Sequence, residues 1–202
     1  MINDKYNTIE KESRGYLKDK GSKFYSYAFP LQTEEKVKEI IAQLKKEHHS
    51  ARHFCYAWRL GTDNIRYRAN DDGEPSSTAG KPILGQLLSF DITNTLIVVV
   101  RYFGGTLLGV SGLINAYKNA ANDALNNAEI KNKLIENRYN ISFTYNELND
   151  VMHLLKQQNY TILETDFKES CNLNFSVRKS EAENAERLFS ELYKVQIKTI
   201  EK

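Results

Sequence analysis

Residues 95–103 read Thr-Leu-Ile-Val-Val-Val-Arg-Tyr-Phe, and Gly104 and Gly105 follow directly. The run is short, rich in β-branched side chains and almost wholly apolar, as is typical of a strand that is buried on both faces of a sheet. Apolar residues, several of them alanine, then recur on one side of residues 113–128, which predicts a helix packed closely on that sheet. The first part of the chain should therefore have a core of sheet and helices.

The end of the chain shows a second pattern. Residues 136–202 predict strand, helix, strand, strand, helix, strand, which is the βαββαβ order of ferredoxin-like folds. Residues 14–31 predict an aromatic-rich hairpin at the edge of the first sheet. We therefore predict an α+β protein with two domains, residues 1–135 and residues 136–202.

Composition restricts the class of protein. Of the 202 residues, 41% are hydrophobic and 27% charged, which indicates a globular chain with a core. The longest apolar run, Leu96 to Val100, is far shorter than the roughly 18 residues of a membrane span, so we expect a soluble cytoplasmic protein with no membrane partner. Two cysteines are too few for a disulfide framework or a four-thiolate zinc site. No metal or cofactor is predicted.

Charge is distributed unevenly between the two predicted domains. The whole chain has a net charge of +2, but residues 1–135 contain 19 basic and 15 acidic residues, whereas residues 136–202 contain 9 and 11. The first domain is thus +4 and the second −2. This mild asymmetry makes the first domain the better candidate for contact with phosphates.

A predicted hairpin over residues 51–72 brings three arginines together. A four-residue turn at 61–64 fixes a register in which Arg59 faces Arg66, with Arg68 on the same face and the aromatic side chains on the other. Like charges directly opposite one another are unfavourable, so this face favours an anionic ligand. The alternative is that the arginines extend separately into solvent.

The same register places His53 opposite Asp72. A carboxylate can orient an imidazole for general-base chemistry, and Cys55 lies beside His53 on the same strand. These residues could form a nucleophilic site, or they could be a structural histidine next to a buried cysteine. We expect Cys55 to be a packing residue, because its neighbours Ala51 and Ala57 are also small.

An acidic turn and a glycine loop are two further candidate sites. Asp71, Asp72 and Glu74 lie in one tight turn, where they could hold Mg²⁺ or simply stabilise the turn. Gly104 and Gly105 follow a buried strand and precede a helix, so their backbone N–H groups could bind an anion together with Arg101. Alternatively, this loop is a tight connection in which Arg101 pairs with the acidic turn.

Four blocks of sequence, in this order, resemble the YigZ/IMPACT family. They are Ala51-Arg52-His53-Phe54-Cys55-Tyr56-Ala57, Asn70-Asp71-Asp72-Gly73-Glu74-Pro75, Thr78-Ala79-Gly80-Lys81-Pro82-Ile83-Leu84, and Arg101-Tyr102-Phe103-Gly104-Gly105 with Leu108-Gly109. The remaining domain resembles the ferredoxin-like C-terminal domain of bacterial YigZ-like members. The resemblance implies a first domain like the second domain of a ribosomal small-subunit protein, and a second domain like a late domain of elongation factor G.

The resemblance also bears on function. Eukaryotic members are linked to translational control, and the family has no established enzymatic activity. We therefore expect a translation-associated regulatory protein that binds RNA or ribosomal particles, with exposed tyrosines available to stack on bases. The residues expected to bind nucleic acid or another anion are His53, Arg59, Arg66, Arg68, Lys81, Arg101, Gly104 and Gly105, while Asp71, Asp72 and Glu74 have no assigned role. The alternatives are a hydrolase or phosphotransferase that uses His53, Asp72 and Glu74, and a protein-interaction module whose partner is unknown.

Overall fold

The computed structural model describes residues 4–167 and 170–200, so the ends of both predicted domains, residues 1–3, 201 and 202, lie outside the described part. The chain divides into two compact units. The N-terminal unit contains residues 6–133, and the C-terminal unit contains residues 134–202 together with residues 1–5. The predicted domain limits differ from these units at the start of the chain, where Asp4 forms an ion pair with Arg178 of the C-terminal unit.

The N-terminal unit is built around a five-stranded sheet and three helices. Its strands and helices are β1 Lys5–Ile9, β2 Ser13–Asp19, β3 Ser22–Pro30, α1 Glu35–Glu47, β4 His53–Leu60, β5 Arg66–Asn70, α2 Gly80–Ser89, β6 Thr95–Tyr102, α3 Gly109–Asn126 and β7 Ile130–Leu134. The order in the main sheet is β2-β3-β6-β4-β5, and β1 pairs separately with β7. The central position predicted for residues 95–103 is therefore confirmed for β6.

Alternate residues of β6 belong to two different cores because strand side chains alternate between faces. Ile97 and Val99 pack with the residues of α2 and α3 on one face. Leu96, Val98 and Val100 pack with α1 on the other face. All five side chains are fully buried. This two-sided burial explains why the strand is apolar almost without interruption.

The C-terminal unit has the predicted βαββαβ order. Its elements are β8 Glu136–Phe143, α4 Leu148–Gln157, β9 Thr161–Phe167, β10 Cys171–Arg178, α5 Ala182–Glu191 and β11 Gln196–Ile200, with single 3₁₀ turns at Tyr145–Glu147 and Lys179–Glu181. The sheet order is β11-β8-β10-β9, and every neighbouring pair is antiparallel. Tyr139, Phe175 and Phe189 lie at the centre of its core. The two-domain α+β fold is thus confirmed.

The register predicted for the β4–β5 hairpin is wrong by one residue. Arg66 lies opposite Leu60 rather than Arg59, and Arg59 lies opposite Tyr67. The loop between the strands contains five residues instead of four, because Ile65 does not continue β5. Residues distant in sequence hold this loop. Asn94 Oδ1 accepts a hydrogen bond from Gly61 N at 2.8 Å, and Thr93 Oγ1 donates one to Gly61 O at 2.7 Å.

Because side chains alternate between the two faces of a sheet, a one-residue shift in register changes which residues of the paired strand lie on the same face as a given side chain. Arg66 and Arg68 therefore share a face with Trp58 and Leu60, on the side of α1, while Arg59 lies on the other side. The predicted cluster of three arginines is not formed, and neither is a purely aromatic face.

Within the described residues, the chain contains no helix long and apolar enough to cross a membrane.

Candidate functional site

A buried polar cluster lies at the end of β6, and we call its members Arg101, Glu74, Tyr117 and Ser22 the Arg101 cluster. Arg101 Nη1 donates a hydrogen bond to Glu74 Oε1 at 2.6 Å, and Tyr117 Oη donates to the same oxygen at 2.7 Å. Arg101 Nη2 lies 3.5 Å from Ser22 Oγ. The cluster thereby links β6, the acidic turn, α3 and the start of β3.

Burial makes the Arg101 cluster energetically important. The side chains of Arg101 and Glu74 are only 6% and 4% exposed, so each charge depends on the other for compensation. Within the part of the chain that the structure describes, Arg101 Nε has no hydrogen-bond partner. Burial raises the pKa of Tyr117, which keeps its hydroxyl protonated as a donor to Glu74. An external anion would have to compete with Glu74 for Arg101.

The three carboxylates of the acidic turn point to three different sets of donors. Asp71 accepts hydrogen bonds from the backbone N–H groups at the start of α2, namely those of Ser77, Ala79 and Gly80. Burial alone would raise the pKa of Asp71, but these N–H groups outweigh it and hold the pKa below its usual value. Asp72 Oδ2 accepts from Phe54 N at 2.7 Å. These contacts match the interpretation of the segment as a turn.

The arrangement does not suit a metal ion or the proposed hydrolytic centre. No group of three or more His, Cys, Asp or Glu side chains able to hold a metal occurs among residues 4–167 and 170–200. His53 Nδ1 contacts the backbone oxygen of Asp72 at 2.9 Å, while the Asp72 carboxylate binds Phe54 N instead. The predicted pairing of the imidazole with the carboxylate is therefore wrong. Asp72 lies beyond the end of β5, with φ of 39°, rather than on the strand.

Cys55 is a packing residue, as predicted. It is fully buried, and its Sγ lies 2.9 Å from the backbone oxygen of Asp71 and 3.3 Å from Tyr117 Oη. Burial raises the pKa of the thiol strongly, so the nucleophilic thiolate is disfavoured. Cys55 is therefore poorly suited to nucleophilic catalysis.

The glycine loop is positioned by direct backbone packing. A Cβ on Gly104 would lie 1.9 Å from the carbonyl carbon of Gly21, so only glycine allows this approach. Gly104 N also donates to Ser22 Oγ at 3.2 Å. Gly105 has φ of +87° in open space. The loop therefore needs Gly104 for close packing and Gly105 for its backbone conformation, while its binding of an anion stays a prediction.

The remaining predicted binding residues are scattered. Arg59 is buried, and its Nη1 donates to Ile92 O at 2.8 Å, just beyond the end of α2. Arg66 forms an exposed ion pair with Glu34 at 2.7 Å. Arg68 is exposed on the edge strand, and Lys81 is exposed in the first turn of α2. The structure brings His53 and Arg101 opposite one another on neighbouring strands, but it does not gather the basic residues into one site.

Sequence reasoning missed a second surface, which we call the open sheet face. It consists of residues of β2, β3 and the end of β6 on the side of α1: Arg14, Tyr16, Lys18, Lys23, Tyr25 and Tyr102. Strand pairing places Tyr16 opposite Tyr25 and Lys18 opposite Lys23. Gly21 was a signal for this arrangement in the sequence, because glycine readily adopts the positive φ of a two-residue hairpin turn. In the structure Lys20 and Gly21 form that turn, with φ of 43° and 82°.

His48, directly after α1, packs against the tyrosines of the open sheet face from the side of that helix. Its Nε2 lies 2.6 Å from Tyr27 Oη, and its Nδ1 lies 2.9 Å from Tyr102 Oη. Its ring also contacts Tyr25 at a centroid distance of 5.4 Å. Burial lowers the pKa of His48, which favours the neutral imidazole as one donor and one acceptor between the two hydroxyls.

Comparison with known families gives two matches along the chain. Residues 20–125 match the Impact N-terminal domain, and residues 141–194 match a domain of unknown function, DUF1949. The first match spans more than half of the chain. It includes β3, the hairpin, the acidic turn, the glycine loop and nearly all of α3, and therefore every member of the Arg101 cluster.

Individual relatives cover most of the chain. IMPACT family member YvyE of Bacillus subtilis is 30% identical over 187 residues, which are 93% of this chain and 86% of that protein. IMPACT family member YigZ of Escherichia coli is 36% identical over 151 residues, or 74% of each protein. A crystal structure described as that of a hypothetical protein superposes with a TM-score of 0.70 at 28% identity and covers 100% of both chains. Both domains of the chain therefore have counterparts in a solved structure.

Proposed function

The chain belongs to the IMPACT family, and we propose that it is a translation-associated regulatory protein of the cytoplasm that binds RNA or ribosomal particles. The translational part rests on the family resemblance, since eukaryotic members are linked to translational control. The binding part rests on the surface chemistry of the N-terminal unit, because residues 1–135 have a net charge of +4 whereas residues 136–202 have a net charge of −2.

One observation carries the binding proposal. Lys18 and Lys23 are directly opposite each other on neighbouring antiparallel strands, and both are exposed. Neither forms an ion pair within the part of the chain that the structure describes. Two like charges at opposed positions repel each other, so an anion placed between them would lower the free energy of the native protein. Phosphate groups of RNA are suitable anions, because lysine binds phosphate as a compact positive charge.

Salt-dependent RNA binding tests this proposal. We would measure the affinity for structured and single-stranded RNA by fluorescence anisotropy at several salt concentrations, and cosedimentation with ribosomal particles in parallel. Each lost phosphate contact should reduce the slope of log affinity against log salt by about 0.7 to 0.9. Lys18→Gln and Lys23→Gln should therefore each weaken binding and flatten the slope.

A matched control separates this effect from a general loss of charge. Lys118→Gln removes the same charge from the exposed side of α3, which lies across the sheet from the open sheet face. It should leave the salt slope unchanged. Absence of binding to any RNA or ribosomal particle at low salt would reject the proposal. Equal effects of all three substitutions would show that binding depends on net charge alone.

A protein-interaction module is the second candidate function, and one observation favours it. Leu107 is 83% exposed in the loop between β6 and α3, and Val110 is also exposed in the first turn of that helix. Exposed apolar side chains close together are typical of protein-binding surfaces. Substitution of Leu107 by Ser should then abolish capture of a protein partner while RNA binding persists.

A further inference from the structure

We infer that the open sheet face is a stacking platform for single-stranded RNA, whose bases lie on the tyrosine rings and whose phosphates lie near the lysines. This inference rests on the proposed RNA binding and specifies the form of RNA and the residues that contact it. It predicts little dependence on base sequence, because every base offers a flat aromatic surface for stacking.

Aromatic rings form a continuous row across three strands. The ring centroids of Tyr16 and Tyr25 are 5.1 Å apart, and those of Tyr25 and Tyr102 are 5.7 Å apart. Tyr16 is 46% exposed, so this end of the row is accessible to a ligand. A groove of about 220 Å³ adjoins the other end of the row and is lined by Gly21, Lys23, Tyr25, Tyr102 and Phe103.

Positive charge lies beside the aromatic row. The pair Lys18–Lys23 is two residues further along the strands than the pair Tyr16–Tyr25, so the side chains of both pairs lie on the same face of the sheet. Two residues of a strand span about 7 Å, so a phosphate near the lysines is within reach of a nucleotide whose base lies on the rings. Two acidic residues neighbour this face. Glu12 is already paired with Arg14 at 2.6 Å. Glu47, at the end of α1, lies near Tyr27 and His48 and accepts a hydrogen bond from Gln43 at 2.9 Å. The surface therefore complements a polyanion with unpaired bases.

The rings are held in place before any ligand binds. His48 bridges the hydroxyls of Tyr27 and Tyr102, and Tyr25 packs on the imidazole. Side chains fixed in advance lose little conformational entropy on binding, which favours affinity. The glycine loop adds a second support, because Gly104 packs on Gly21, which lines the groove.

Duplex RNA should bind more weakly than single strands. In a duplex the bases are stacked on each other, so their flat surfaces are not available to an open sheet. A duplex could still contact Lys18 and Lys23 through phosphates. The difference between the two forms of RNA therefore measures the contribution of the rings rather than that of charge.

The test uses fluorescein-labelled 12-nucleotide RNA of mixed sequence, single-stranded or annealed to its complement, with the full chain at low salt. Tyr16→Ala should reduce single-strand affinity about five- to hundredfold, the range found for loss of one base-stacking side chain. Tyr16→Phe should keep the affinity, because the ring remains. Tyr67→Ala is the matched control: Tyr67 is 67% exposed on the edge strand β5 of the same sheet, and its side chain lies on the α2 and α3 side.

Each outcome decides between the two proposals. Loss of affinity in Tyr16→Ala, with Tyr16→Phe and Tyr67→Ala unchanged, would support the platform. Wild-type affinity in Tyr16→Ala, or equal binding of duplex and single strand, would overturn the platform and leave the proposed function standing. No binding of either RNA by the wild-type chain, with no cosedimentation with ribosomal particles, would overturn the proposed function itself. Circular dichroism of Tyr16→Ala separates loss of contact from loss of fold.

Discussion

Replacement of Glu74 by Gln should strongly destabilise the N-terminal unit. The substitution keeps the size of the side chain and still allows a hydrogen bond from Tyr117, but it removes the charge that compensates Arg101. Arg101 would then remain only 6% exposed without a counter-ion. Breaking a buried pair in this way costs about 3–5 kcal/mol, a large fraction of the roughly 5–15 kcal/mol by which domains are stable.

Urea unfolding monitored by tryptophan fluorescence measures this loss. The chain has one tryptophan, Trp58, which is buried in β4 of the N-terminal unit, so its signal reports on that unit. With a urea dependence of about 1–3 kcal/mol per molar, a loss of 3 kcal/mol lowers the unfolding midpoint by about 1–3 M. Glu34→Gln is the matched control, because its ion pair with Arg66 is exposed and should contribute less than about 1 kcal/mol.

A second substitution tests the cause of the loss. Arg101→Met combined with Glu74→Gln removes both charges, and the double variant should recover a large part of the stability that the single variant loses. A loss of less than 1 kcal/mol in Glu74→Gln, or a double variant that loses the sum of both single effects, would refute the reasoning. The first result would mean that water or another group compensates Arg101.

Three other changes give distinct expectations. Asp71→Asn should cost about 1–3 kcal/mol of unfolding free energy at pH 7, because it weakens hydrogen bonds to three backbone N–H groups. The native pKa of Asp71 is lowered from its ordinary value of 3.8, so the difference in stability from wild type should shrink in unfolding curves as the pH falls below that value. Gly104→Ala should destabilise the protein more than Gly105→Ala in thermal melts, because its Cβ would meet backbone at 1.9 Å whereas Gly105 lies in open space. His48→Gln should reduce the loss of stability between pH 7 and 5.5, because the native pKa of His48 is lowered from 6.5 and the unfolded chain takes up the proton first; an unchanged pH profile would contradict this.

Much of the fold was predictable because its signals are local. The apolar run of β6 and the alternating patterns of the C-terminal unit depend on the periodicity of each element alone. The βαββαβ order followed from those elements without knowledge of distant contacts. The identity of the central strand followed from its lack of polar alternation, since only a strand covered on both faces tolerates such a run.

The register of the β4–β5 hairpin was not predictable in the same way. It depends on whether Ile65 belongs to the loop or to the strand, and that choice is stabilised by Thr93 and Asn94, about 30 residues away in sequence. One residue of difference sends Arg59 into the protein, where it binds carbonyl oxygens near the end of α2, and leaves Arg66 on the other face. The error of one residue in the length of the β4–β5 loop thus led to the wrong prediction that the three arginines form one binding site.

The motifs of the candidate site are recognisable in the sequence, but recognising them does not show whether their polar groups are free to bind a ligand. The segments that resemble the family, among them the acidic turn and the glycine loop, meet at the Arg101 cluster. There Asp71, Asp72 and Glu74 are already hydrogen-bonded to groups of the protein. A polar group satisfied in this way has little to offer a ligand, so the motifs are better explained as the means of holding four segments together.

The Arg101 cluster also positions the open sheet face. Ser22 accepts hydrogen bonds from Arg101 and from Gly104, so the buried cluster fixes the β2–β3 turn against the loop that follows β6. Tyr102 and Phe103 lie directly before that loop, and Lys23 lies directly after Ser22. The residues that resemble the family therefore set the distance between the lysines and the rings without contacting a ligand. Gly104→Ala should accordingly weaken RNA binding as well as stability, even though Gly104 offers no side chain to RNA.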